Sequence, residues 1–102
     1  MNDANGTPET QTIVCEEALD IAIAAGLRDS LLQALQAQLP VVLQADAVSR
    51  ADTAALQVLT AFLQDARSQG LAVRWETPSE PLRRAARLLG LSDALELRDT
   101  AT

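Results

Sequence analysis

The chain has no histidine and a single cysteine among its 102 residues. The first absence removes the commonest metal ligand and general base. The second excludes an internal disulfide. Together they leave no Cys/His metal site. Aromatic residues are scarce as well, since Phe62 and Trp75 make up the whole 2%. Because 48% of the residues are hydrophobic, the core must be aliphatic, built from Leu, Val, Ile and Ala.

Positive charge is also in short supply. Eight basic residues stand against fourteen acidic ones, for a net charge of −6 and a pI near 4.4. Neither nucleic acid nor an anionic lipid surface fits that balance as a partner. No apolar run approaches the roughly 18–20 residues that span a bilayer, so no direct membrane insertion is expected. The basic-then-apolar order of a secretory signal is missing at the N-terminus. A cytoplasmic location is the expectation.

What is present organises one small domain with one core. Residues 1–10 are polar with Gly6 and Pro8 and are expected to form a flexible tail, leaving 11–98 as the domain. The β-branched stretch Gln11-Thr-Ile-Val-Cys15 reads as a strand, and Ala18-Leu-Asp-Ile21 as a second, short one. Ala24, Leu27, Leu31, Leu35 and Leu39 then follow helical spacing, so a helix is expected from about Ala22 to Gln38, ended by Pro40. Val41-Val-Leu43 is short and continuously apolar, as suits a buried strand.

The clearest helix spans 53–69, with Ala55, Leu56, Leu59, Phe62, Leu63 and Ala66 on one face and Gly70 as its natural stop. Leu71, Val73 and Trp75 alternate with polar or small residues, the period of a strand with one buried face. Ser79 can cap a third helix that tolerates Pro81 in its first turn. Its apolar side would be Leu82, Ala85, Ala86, Leu88 and Leu89, and Gly90 would end it. Residues 92–98 could add a short last helix. The order implies an α/β fold, with a small, mostly parallel four-stranded sheet packed with three or four helices.

Asp52 and Thr53 stand at the mouth of the most amphipathic helix. Asp is a favoured N-cap, because its carboxylate accepts first-turn amides that have no other partner. A hydroxyl beside it lies where the helix dipole is positive and a negative group is tolerated. Thr53 is therefore either a phosphorylation site or a surface residue read without modification. Ser49 and Arg50 precede the cap in an exposed loop. Cys15 is expected to be a small buried apolar residue, and Trp75 either a core residue or one half exposed at a partner surface. Arg83, Arg84 and Arg87 would form either a solvated face or a patch for an acidic partner or a nucleotide phosphate. No Gly-rich phosphate loop, Ser-His-Asp set or metal spacing appears, so neither enzyme chemistry nor a cofactor is expected.

The run Val41-Val-Leu43, Val48 and Asp52-Thr-Ala-Ala-Leu-Gln-Val-Leu59 resembles the STAS domain, as do Gln69-Gly-Leu-Ala-Val73, Thr77-Pro-Ser79 and the stretch from Leu82 to Leu91. This is the fold of anti-sigma factor antagonists, also found in anion transporters and in a lipid ABC transporter. The resemblance implies a non-enzymatic partner-switching regulator of bacterial transcription, an anti-anti-sigma factor. Thr53 falls at the hydroxyl that a partner kinase phosphorylates in that family. Val48, Ser49, Arg50, Asp52, Thr53, Ala54 and Leu56 would then meet an anti-sigma factor or a histidine-kinase-like serine/threonine kinase. A second expectation rests on Thr in place of the family's usual Ser: a STAS subunit that binds and activates the ATPase of a phospholipid-transport ABC transporter. Two positions depart from the family pattern: Gln44 where an acid often closes the central strand, and Ala55 where Gly is common.

Overall fold

The computed structural model describes residues 9–97. Most of the expected tail, residues 1–8, and the end of the expected last helix, residue 98, lie outside the described residues. Eight elements follow in order: β1 (Gln11–Val14), β2 (Ala18–Leu19), α1 (Ile21–Ala37), β3 (Val41–Gln44), β4 (Arg50–Ala51), α2 (Thr53–Ser68), β5 (Val73–Glu76) and α3 (Glu80–Leu88).

β3 lies between β1 and β5, and both pairings are parallel. Ile13, Leu43 and Trp75 share one register level, and Thr12, Val42 and Arg74 the next. Side chains alternate between faces along a strand, so these two rows look in opposite directions. The core lies on the first face. There Val41 and Leu43 meet Leu31 and Leu35 of α1, Leu59, Phe62 and Leu63 of α2, and Leu82 and Ala86 of α3. α1 and α2 pack against each other above the sheet. As the composition requires, the core is aliphatic, with Phe62 its one aromatic among the fully buried residues.

The expected fold class holds, and the strands divide differently. The structure has a three-stranded parallel sheet and a separate parallel pair, β2 with β4. β4 covers Arg50–Ala51, which the sequence reads as loop, because two residues show no periodicity. β2 stops at Leu19 instead of reaching Ile21. Asp20 is the reason: its Oδ1 accepts the Ile23 amide at 3.2 Å and so starts α1 at Ile21.

Two helices end in the same way. At α2 the Leu71 amide reaches the Ala66 carbonyl and the Gly70 amide the Arg67 carbonyl; Leu91 with Ala86 and Gly90 with Arg87 repeat this at α3. Such a closure needs a left-handed residue. Gly70 and Gly90 supply it, at φ +72° and +71°. The expected last helix is a single turn in which the Leu95 amide bonds the Leu91 carbonyl. It closes through Glu96 at φ +58°, without a glycine. Trp75 is half-buried against the core, and its Nε1 donates to the Leu95 carbonyl at 2.7 Å.

Candidate functional site

In a parallel sheet the segments that leave the C-terminal ends of the strands gather at one edge, where such folds bind their ligands. Here the segment from β3 to α2 is fixed from two sides. The Glu17 carbonyl accepts the Ser49 amide at 2.7 Å and the Ser49 hydroxyl at 3.1 Å. The Leu19 carbonyl accepts the Asp52 amide at 2.8 Å. On the other side, the Ser79 hydroxyl donates to the Val48 carbonyl at 2.6 Å, and the Ser79 amide donates to the Ala45 carbonyl at 3.1 Å. Arg50 completes the set by pairing with Asp20 at 3.3 Å. Thr53 is therefore held on rigid supports, although it follows a loop.

Val48 and Leu56 correct the expected contact set. They are 2% and 0% exposed. Val48, with Ala45 before it, draws the loop into the core, and Leu56 lies on the buried face of α2. Neither side chain can touch a partner in this fold. Ser49, Arg50, Asp52 and Thr53 are exposed, and Ala54 is half-buried.

Asp52 occupies the N-cap position with the expected extended backbone, yet its side chain makes no cap hydrogen bond. No side chain among the described residues closes the first turn of α2. The Thr53 hydroxyl likewise has no partner among the described residues, whereas Thr60 in the same helix turns its hydroxyl back to the Leu56 carbonyl at 2.8 Å. Thr53 thus presents a free hydroxyl beside a free carboxylate, above first-turn amides that are themselves open to an acceptor.

The surroundings are apolar, a feature that sequence reading missed. Thr53 lines a shallow depression of about 550 Å³ together with Ile21, Leu88 and Leu89. Ile21 is 75% exposed and Leu88 78%, with Leu89 at 42%. Helical spacing alone assigns Leu88 and Leu89 to the apolar side of α3. Only Leu82 and Ala86 of that side are buried, and Ala85 is half-buried. The last turn of α3 runs past the core and carries its leucines to the rim around Thr53. A Leu-Leu pair just before a helix-ending glycine was the available signal.

Gln44 and Ala55 both have local causes. Gln44 donates from Nε2 to Glu76 Oε1 of the neighbouring strand at 2.9 Å. A carboxylate at position 44 would face Glu76 and repel it. Ala55 is fully buried and its methyl group is part of the core. The arginines of α3 have separate surroundings: Arg87 pairs with Glu80 at 3.1 Å, Arg84 is exposed and Arg83 is half-buried. Cys15 is buried, and burial pushes its thiol pKa from 9.0 up to about 11. Among the described residues no helix is long and apolar enough to cross a membrane.

Comparison with known proteins places this geometry in a family. Among solved structures the fold is similar to that of the protein TM1081, determined by NMR. The TM-score is 0.69 at 20% identity, over 83% of this chain and 70% of that one. No curated protein matches the chain. The family model described as the STAS domain matches residues 3–101, so the chain belongs to the STAS domain family.

Proposed function

We propose that this STAS domain acts by binding, without chemistry of its own, and that it docks its partner on the face around Thr53. The observation that carries this reading is the pairing of an unbonded Thr53 hydroxyl with an exposed apolar rim of Ile21, Leu88 and Leu89. Apolar rims of this kind on a soluble domain mark interaction surfaces. The partner class is an anti-sigma factor with the fold of a histidine-kinase-like serine/threonine kinase, and the chain is its antagonist in a partner switch.

Phosphorylation of Thr53 is the switch in this reading. A phosphate adds about −1.5 to −2 charges at neutral pH. The open first turn of α2 accepts that charge through its amides and dipole, so the fold survives the modification. A partner that presents a carboxylate or apolar side chain to the rim is repelled or left facing a desolvated charge. Binding falls while the domain stays intact.

Incubation with the kinase and ATP, followed by mass spectrometry of the tryptic peptides, tests the switch. The reading expects phosphate on Thr53, and its absence removes the switch. Affinity purification from native cells tests the partner class. Recovery of an anti-sigma kinase supports it, whereas recovery of an ABC transporter ATPase replaces it with the transport reading that Thr at this position favours.

A further inference from the structure

Leu32 is 41% exposed on α1 and has no part in the rim around Thr53. It lines a trough of about 370 Å³ between α1 and α2, together with Leu31, Leu35, Val58 and Phe62. Arg28 and Asp65 line the same trough, and neither makes an ion pair among the described residues.

The two charges stand at different levels. α1 and α2 begin side by side, because Leu19 and Ala51 are in register across β2 and β4 and each helix starts two residues later. They also end side by side, where Gln38 Nε2 donates to Gln69 Oε1 at 2.8 Å. Arg28 is seven residues into α1 and Asp65 twelve into α2. At 1.5 Å per residue, their levels differ by about 8 Å along the trough. Leu32 and Ala61 fall between those levels.

We propose that a second copy of the chain packs into this trough, with its α1 and α2 laid antiparallel on those of the first. A twofold interface must complement itself. With the axis crossing the trough between the two charged levels, Arg28 of each copy meets Asp65 of the other. Leu32 and Ala61 then close the centre of a four-helix contact. The chain as a whole carries a net charge of −6, yet the trough holds one charge of each sign. Two acidic copies therefore meet there without local repulsion. The trough shares only Ala54 with the face around Thr53, so the dimer and the docking reading are tested separately.

Sedimentation equilibrium of the full chain, from micromolar to millimolar concentration, should show reversible dimers. Leu32→Glu, Arg28→Asp and Asp65→Arg each weaken dimerisation at least about tenfold. The urea midpoint stays unchanged in each, because all three side chains are exposed. Mixing the Arg28→Asp and Asp65→Arg proteins restores the dimer, since every exchanged charge then faces its opposite across the axis. A chain that stays monomeric throughout would overturn the proposal, as would a dimer that Leu32→Glu leaves intact. A mixture of the two charge variants that fails to associate would overturn the twofold pairing on which the proposal stands.

Discussion

The Ser79 hydroxyl joins two elements at once: it donates to the Val48 carbonyl at 2.6 Å and accepts the Leu82 amide at 3.2 Å. One side chain thereby caps α3 and fixes the segment that delivers Thr53 to α2. Ser79→Ala removes the cap and leaves the Val48 carbonyl without this donor. Loss of a cap costs about 0.5–2 kcal/mol, and the upper half of that range is expected here. Urea denaturation measures it; an unchanged midpoint would show that the link contributes nothing.

Asp20 and Asp52 both precede a helix, and only Asp20 caps with its side chain. Asp20→Ala should cost about 1–2 kcal/mol, since the cap and the Arg50 pair are lost together. Asp52→Ala loses only an exposed charge at a helix start, worth a few tenths of a kcal/mol. Side-by-side denaturation curves check the order, and a larger loss for Asp52→Ala reverses it.

Leu88 and Leu56 should behave oppositely, although both are leucines on amphipathic helices. Leu88→Ser alters a residue that is 78% exposed, so stability should stay within about 0.5 kcal/mol. Leu56→Ala empties a site with 0% exposure and should cost about 2–5 kcal/mol. Partner binding should fall for Leu88→Ser without any loss of fold. A Leu88→Ser protein that unfolds would mean that the rim belongs to the core.

Cys15 should be inert in the native protein. With its pKa raised by burial from 9.0 to about 11, only about one thiol in a thousand is ionised at pH 8. Because the folded pKa exceeds the unfolded one, this contribution is complete below pH 9 and is lost as pH climbs toward 11. A disulfide reagent at pH 8 should therefore react only after denaturant is added. Rapid reaction without denaturant would place the thiol at the surface.

Legibility in the sequence followed the length of each element. α2 was readable to within a residue, because sixteen residues sustain one apolar face up to Gly70. β4 was not, since two residues carry no period, and its pairing with β2 depends on chain segments about thirty residues apart. The stretch Ala18-Leu-Asp-Ile21 reads as a short strand, which puts Asp20 inside it. Its hydrogen bond to the Ile23 amide makes it a cap instead. At the site, Asp52 and Thr53 were legible from the cap pattern. The apolar face of α2 already placed Leu56 inward, and its burial removes it from the contact set that the resemblance implied; Val48 had no such pattern, because apolar character in a loop does not say which way a side chain turns. The rim of Leu88 and Leu89 depends on where α3 ends relative to the core, which no local pattern encodes.

Site-specific photo-crosslinking in native cells tests the docking face most directly. A photoreactive residue replaces Leu88 in one protein and Thr12, on the opposite sheet face, in another. A crosslinked signalling partner from position 88 and none from position 12 is the predicted result. A partner captured from position 12 alone, or equally from both, would contradict it.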